Sequence, residues 1–269
     1  MTWVIKIGGS VRNPDALLHD VAAAHERIVM VHGASRRLNE LSTRLGNPPR
    51  MVESGRGDVT RYTDSTAMDH FLMAYAGLAN KRIVERLRQL GVNALGLSGL
   101  DGGVVSGQRR ADLRVVENGR TRILHDNHVG SIDDVDASLL QLLLERGYTP
   151  VLTPPIAAGD GTAINVDGDR LAAEIAIALH AERFFIFTDT PGILRDAADF
   201  SSVVAHIDPA DIGGAFAGRV RPKLQAAARA HVNGVERVVI AGAGTAHPLQ
   251  RAVDGAGTIV RRRLVAAPG

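Results

Sequence analysis

The sequence predicts an α/β fold of three layers, with helices on both faces of a largely parallel central sheet. Three observations predict it. Short apolar runs rich in Val, Ile and Phe alternate with helix-length segments. Most of these runs are continuously apolar, as strands buried on both faces are. Glycine-rich polar turns follow several of them, where a strand would hand over to a helix. The 269 residues, 45% apolar and 22% charged, are ample for one large core.

Residues 3–7, Trp-Val-Ile-Lys-Ile, read as the first strand and end in Gly8-Gly9-Ser10. A helix is predicted over 15–26. The strand 28–31 follows and ends in His32-Gly33-Ala34-Ser35. A long helix is predicted over 65–90, then a strand over 94–97 that runs into Ser98-Gly99-Leu100-Asp101-Gly102-Gly103. Residues 113–124 read as a β-hairpin, because Asn118-Gly119 between Val115-Val116 and Ile123-Leu124 favours a tight turn. A helix over 136–146 and a strand over 149–152 come next. The segment 154–161 reads as a loop, and a soft division of one fold into two lobes, 1–165 and 166–269, falls after it. The second lobe reads as a helix over 168–180, a strand over 184–187, the turn Thr188-Asp189-Thr190-Pro191-Gly192, a helix over 222–232 and a strand over 238–240. No internal repeat and no low-complexity linker interrupts the chain.

Composition narrows the function classes. No apolar run approaches the ~18 residues that a membrane helix needs, so no membrane role is expected. The N-terminus lacks the basic and long apolar regions of a signal peptide. Cysteine is absent, which excludes disulfides, thiolate catalysis and cysteine metal sites. A cytoplasmic protein is the expectation. The net charge is only +2, but arginines cluster at 36–37, 109–110 and 261–263. Such clusters attract phosphates or an acidic partner. Aromatic residues are 4% of the chain and do not interleave these arginines, which argues against a nucleic-acid binder.

The turns carry the chemistry. Glycines let the backbone approach an oxyanion, and successive N–H groups can line a small anion-binding concavity. Lys6 adds a full charge just upstream of Gly8-Gly9. The pattern is neither the P-loop G-x-x-x-x-G-K-[ST] nor the dinucleotide G-x-G-x-x-G. Ligands of open α/β sheets collect at the carboxyl ends of the strands. Four polar turns there suggest a cleft for a phosphate-rich ligand.

Five motifs in one order carry a resemblance that spans about residues 3–260. They are Lys-x-Gly-Gly-Ser at 6–10, Val-His-Gly at 31–33, Asn165-x-x-x-Asp169 opening a helix, Thr-Asp-x-Pro-Gly at 188–192, and Lys223 opening a late helix. The chain resembles the amino acid kinase family, in its acetylglutamate kinase branch. Arg61-Tyr62-Thr63-Asp64 and the run Gly96–Gly103 bring it closest to members that act on 2-aminoadipate or glutamate carried on a small acidic amino-group carrier protein. Acetylglutamate kinases typically have a Leu-Arg-Val-Thr-Asp-like segment where this chain has Thr60-Arg61-Tyr62-Thr63-Asp64.

The resemblance implies an ATP-dependent kinase of a side-chain carboxylate, with Mg²⁺ accompanying the nucleotide, no metal held by protein side chains, and a homodimer. By resemblance, Lys6 and Lys223 meet the phosphates from opposite lobes and Asp169 holds both lysines. Gly8, Gly9 and Ser10 bind phosphate. Gly33, Ala34, Arg61 and Asn165 bind the acceptor, and Thr188, Asp189, Pro191 and Gly192 lie on the nucleotide side. The lobe 1–165 takes the acceptor and 166–269 the nucleotide. A carboxylate acceptor has a pKa of about 4.3 and is ionised at pH 7. No base is then needed, and His32 reads as structural.

Two departures stand out. Ala34 replaces a family glycine, and Gly218-Arg219-Val220 replaces the usual lead into the second lysine. The carrier is expected on basic surface near Arg56, Arg61, Arg109 and Arg110. A kinase of free N-acetylglutamate and a non-catalytic sensor on the same fold are the competing readings.

Overall fold

A computed structural model describes residues 1–54, 59–117, 119–212, 218 and 220–263. The first lobe opens with β1 (Thr2–Ile7), α1 (Asp15–Ala23), β2 (Arg27–His32) and α2 (Ser35–Arg44). Strands β3 (Met51–Ser54) and β4 (Val59–Arg61) precede the long helical stretch. Then come β5 (Ala94–Gly99), β6 (Val105–Arg109), β7 (Leu113–Glu117), β8 (Arg120–Leu124), β9 (Gly130–Val135), α5 (Ser138–Glu145), β10 (Thr149–Ala158) and β11 (Ala163–Ile164). The stretch between β4 and β5 is α3 (Ser65–Leu72), a π-helical segment Met73–Ala79 and α4 (Asn80–Gln89). The chain continues with α6 (Gly168–Ala178), β12 (Arg183–Thr188), β13 (His206–Ile207), α7 (Val220–Val232), β14 (Arg237–Gly242), α8 (Pro248–Val253) and β15 (Thr258–Val260).

One eleven-stranded sheet runs in the order β13-β15-β14-β12-β1-β2-β10-β6-β9, with β5 and β11 also paired to β10. Ladders β1/β2, β1/β12, β12/β14, β10/β2 and β10/β5 are parallel. Antiparallel pairs lie toward its margins, at β14/β15, β6/β9 and β10/β11. A second, four-stranded sheet, β4-β3-β7-β8, stands apart. The expected hairpin is the β7/β8 part of it, with Gly119 at φ 71° and Asn118 outside the described residues.

Side-chain alternation in β1 builds two cores. Trp3, Ile5 and Ile7 pack with Leu17 and Leu18 of α1 and with Phe185 and Phe187 of β12. Val4 packs on the other face, with Leu171 and Ile175 of α6 and Leu224 of α7. Each fully buried side chain of this size contributes about 1.5–3 kcal/mol. Lys6 shares the face of Val4, so the strand aims it at α6 and α7.

The structure corrects the loop expected over 154–161. Strand β10 runs on to Ala158, through Pro154 and Pro155. Prolines cannot donate to a ladder, which argues against a strand. Here they sit where the strand changes neighbours. Thr149–Thr153 pair with β5, and Ile156–Ala158 pair with β11 and β6. The expected helix 65–90 keeps its extent but is widened to π geometry in its middle.

Candidate active site

Two helix starts converge on Lys6. Asp167 caps α6, its carboxylate accepting from the Arg170 N–H at 2.8 Å, which leaves Asp169 in the first turn. Helix α7 carries Lys223 in its own first turn. Lys6 Nζ lies 2.5 Å from Asp169 Oδ1, and Lys223 Nζ donates to Asp169 Oδ2 at 2.9 Å. The three side chains are only 6%, 12% and 15% exposed for Lys6, Asp169 and Lys223, so this is a buried triad.

Burial pushes the Asp169 carboxyl up, but the two ammonium groups outweigh it and hold it at about 2. Burial and then Lys6 push the Lys223 ammonium down, and Asp169 opposes both. One carboxylate between two cations leaves one uncompensated positive charge. A buried excess of this sign favours an anionic ligand.

The glycine turns meet next to the triad. Gly8 N–H donates to Phe187 O at 2.8 Å and Gly33 N–H to Ile7 O at 2.9 Å. A Cβ on Gly9 would stand 2.7 Å from Ser35 N, and one on Gly33 2.9 Å from Gly9 N. Those atoms are backbone and cannot step aside, so both positions require glycine. Among the described residues the N–H groups of Gly9 and Ser10 have no backbone acceptor. Ala34 sits at φ −146°, where any L-residue is at ease. Its methyl is buried with Leu38, Phe71 and Tyr75, which explains an alanine there.

A cleft of about 890 Å³ joins these parts. Lys6, Gly8, Gly9, Ser10, Arg61, Asp169, Thr188, Gly192 and Lys223 line it. Gly33, Ala34, Asn165, Asp189 and Pro191 do not. Gly33 and Ala34 line a smaller cavity behind the glycine turn. Pro191 backs the end of β14, 3.0 Å from where a Cβ on Gly242 would stand. Thr258 Oγ1 accepts from Ile193 N–H at 2.9 Å and so fixes the segment after Gly192.

Arg61 enters the cleft from β4 with Nη2 donating to Asn39 Oδ1 at 2.6 Å. Segment 125–128 braces the loop that follows it. Tyr62 Oη donates to His125 O at 2.5 Å, and His128 N–H to Thr63 O at 2.6 Å. The same segment holds Asn165, whose N–H donates to His128 O at 2.7 Å. Asp126 ties the segment down. It accepts from Ser65 N–H at 3.0 Å and from Arg109 Nη2 at 2.8 Å, and it lies 3.2 Å from His128 Nε2. The Ser65 N–H above all, aided by Arg109 and His128, overcomes desolvation and holds the Asp126 carboxyl at about 2.

Arg109, expected as open docking surface, is therefore engaged with Asp126 and with Asn127 O. Arg110 is exposed, while Arg56 and Arg219 lie outside the described residues. His32 is buried, its Nε2 3.2 Å from Asn80 Nδ2, and burial lowers its pKa to about 4. It is neutral at pH 7 and far better suited to packing than to proton transfer.

The sequence reading passed over Asp167, Asn39, Ile193 and Leu194, all of which line the cleft. Asp167-Gly168 before an apolar helix is an N-cap signal that could have pointed to the first. Among the described residues no group of three His, Cys, Asp or Glu is placed to hold a metal ion, and no helix is long and apolar enough to cross a membrane.

Comparison with known proteins adds sequence relatives. The model of the amino acid kinase family matches residues 1–242. The chain is 44% identical to a [LysW]-aminoadipate kinase of Deinococcus radiodurans, over 96% of this chain and 90% of that one. It is 37% identical to an acetylglutamate kinase of Methanopyrus kandleri, over 96% and 99%. In fold it is similar to an N-acetylglutamate synthase of Neisseria gonorrhoeae, with a TM-score of 0.78 at 22% identity, over 98% of this chain and 60% of that one.

Proposed function

The chain belongs to the amino acid kinase family, and from that premise we propose that it phosphorylates the side-chain carboxylate of 2-aminoadipate, or of glutamate, carried by its amino group on a carrier protein. Kinases of this family take ATP as co-substrate. The observation that carries the reading is the Lys6–Asp169–Lys223 triad in the wall of a cleft large enough for a nucleotide and an acceptor. The aminoadipate kinase of Deinococcus radiodurans supplies the acceptor.

The chemistry follows from the charges. A carboxylate oxygen of the acceptor bonds to the γ-phosphorus, the bond to the ADP oxygen breaks, and an acyl phosphate and ADP result. The acceptor arrives ionised, so no proton moves. Catalysis is then positioning and neutralisation of charge on the transferred group. Lys6 and Lys223 supply that charge, and Asp169 fixes both ammonium groups rather than acting as a base. Gly9 and Ser10 offer backbone donors to the phosphate, and Gly8, whose own N–H is given to Phe187 O, shapes the turn that presents them. Arg61 orients the acceptor, a guanidinium being suited to grip a carboxylate with two bonds, while Asn165, Gly33 and Ala34, which stand outside the cleft wall, act on the acceptor through the segments they support. Thr188 and Gly192 border the nucleotide, with Asp189 and Pro191 behind them in the same turn, and the lobes 1–165 and 166–269 divide the two substrates.

Among the described residues Asp167 and Asp169 are the carboxylates that line the cleft, and both are committed, to the α6 N-terminus and to the lysines. A Mg²⁺ ion would accordingly be carried by the nucleotide phosphates, whose charge it would shield. The same reading places the enzyme in the cytoplasm as a homodimer, which light scattering on the purified chain checks.

The relative from Methanopyrus kandleri favours one competing acceptor, free N-acetylglutamate. An ADP-release assay with carrier-linked aminoadipate, carrier-linked glutamate and N-acetylglutamate separates the readings. Turnover of a carrier-linked acceptor is expected, with kcat/KM falling as salt rises if basic surface steers the carrier. Efficient turnover of N-acetylglutamate with none of either carrier-linked acceptor would sink the proposal.

Asp126 supplies a finer test. Asp126→Asn keeps the shape but weakens the tie to Arg109 and Ser65. The expected result is a rise of fivefold or more in KM for the acceptor, with KM for ATP within twofold of wild type. Arg61→Ala serves as the reference for loss of acceptor binding. Equal effects on both KM values would mean that Asp126 acts through general stability.

A further inference from the structure

Behind the Gly8-Gly9 turn lies a second cavity of about 190 Å³. Val11, Leu18 and Ile83 give it an apolar floor. Five arginines, Arg12, Arg36, Arg37, Arg82 and Arg86, and one acidic residue, Asp15, also line it. Asp15 is already committed, because Arg86 donates to it through Nε at 2.5 Å and Nη2 at 3.2 Å. Arg36 and Arg82 pair with Glu40 and Glu85 on their own helices, each at 2.7 Å, and neither glutamate lines the cavity. The side chains of Arg12 and Arg37 form no ion pair or hydrogen bond with any described residue, and Arg36 Nε is buried without an acceptor.

With Asp15, Glu40 and Glu85 each taking one arginine, the charges of Arg12 and Arg37 are left uncompensated beside one another, and a bound anion offsets that cost. The guanidinium fork matches carboxylate and phosphate oxygens in particular. The volume corresponds to roughly six water molecules at about 30 Å³ each. That suits a molecule the size of an amino acid or of pyrophosphate, with its hydrocarbon or bridging part over the apolar floor.

The position matters as much as the charge. Gly8 and Gly9 wall this cavity and also the large cleft. The packing of Gly9 against Ser35 and Gly33 leaves no slack between the two turns. An occupant pressing on this side therefore bears on the backbone proposed to hold the transferred phosphate.

We propose that this arginine-lined cavity binds a small polyanion bearing carboxylate or phosphate oxygens, and that its occupancy is felt at the phosphoryl-transfer cleft through the shared glycine turn. The coupling rests on the proposed kinase reading, whereas the binding does not.

Calorimetric titration of the full chain with pyrophosphate and with citrate, without nucleotide, tests the binding. The comparison variants are Arg12→Ala/Arg37→Ala and Lys223→Ala. At least one probe is expected to bind saturably, tenfold or more weaker in the double arginine variant and unchanged in Lys223→Ala. Tighter citrate would mark a carboxylate ligand and tighter pyrophosphate a phosphate. No saturable binding, or binding lost in Lys223→Ala but kept in the arginine variant, overturns the site. At fixed free Mg²⁺ the bound probe should shift KM for ATP twofold or more in wild type only. Binding without that shift overturns the coupling. Because calorimetry needs no turnover, a wrong acceptor in the kinase reading leaves the binding test intact.

Discussion

Lys223→Ala is expected to lower kcat by 10²-fold or more with the protein still folded, and Lys6→Ala to do the same. Losing one preorganised charge donor costs about 2.7–4 kcal/mol of transition-state stabilisation. Both ammonium groups meet the prediction's physical condition, since they are buried, fixed by one carboxylate and open to the cleft. Each substitution leaves Asp169 with one partner, so neither strands an unpaired carboxylate. The double variant should lose much less than the product of the single losses, because the two lysines share Asp169 and act as a unit. Steady-state kinetics at saturating ATP and acceptor checks this. If either single variant kept kcat within about threefold of wild type, the two-lysine mechanism would be wrong.

Asp169→Asn is expected to cost stability as well as turnover. Removing the shared carboxylate leaves two ammonium groups side by side in a buried site. Breaking a buried ion pair in this way costs about 3–5 kcal/mol. For a chain of this size each kcal/mol moves Tm by about 2–4 °C, so a fall of roughly 10 °C is expected.

The pH dependence gives an independent sign. The two lysines hold the Asp169 carboxyl at about 2 in the fold, below its ordinary 3.8. A depressed carboxyl contributes its stability above the unfolded pKa and loses it as pH falls through the folded one. That contribution is about 2 kcal/mol. The gap in unfolding free energy between wild type and Asp169→Asn should therefore be full at pH 5 and narrow as pH falls from about 4 toward 2. Urea unfolding along that series measures it, and a gap that stays constant would show that Asp169 is not held by the lysines.

Much of the sheet was legible because its central strands are nearly pure apolar runs. Strands β1, β2, β5, β10, β12 and β14 announce themselves in this way. The others do not. Strand β9 carries Asp133 and Asp134 at a sheet margin, where side chains can face water. Strand β10 hides its second half behind two prolines that happen to sit between ladder partners. The π-helical segment has no periodic signature of its own, yet it carries Tyr75, whose hydroxyl lies against the Ala34 N–H.

At the site, Lys6 and Gly8-Gly9 were readable as a charged turn. Lys223 and Asp169 were not, since a lysine and an aspartate in a first helical turn are ordinary surface residues. Only the ordered set of motifs singled them out, and only the packing of α6 against α7 brings them to Lys6. Asp126 was invisible for a different reason. Its partners come from positions 65, 109 and 128, and nothing local marks such a junction.

The place of β1 in the middle of the sheet bears on how the molecule comes into being. This strand precedes both of its neighbours and is separated from β2 by one short helix, but its other neighbour, β12, begins at Arg183. Contacts so distant along the chain form late, because the long intervening loop must first be closed. The triad needs later sequence still, as Lys223 follows β12. A nascent or truncated chain that stops short of α7 can own Lys6, Asp169 and the glycine turns and still have no complete clamp. On the proposed mechanism, competence for phosphoryl transfer thus appears only once α7 has been made and has brought Lys223 to Asp169.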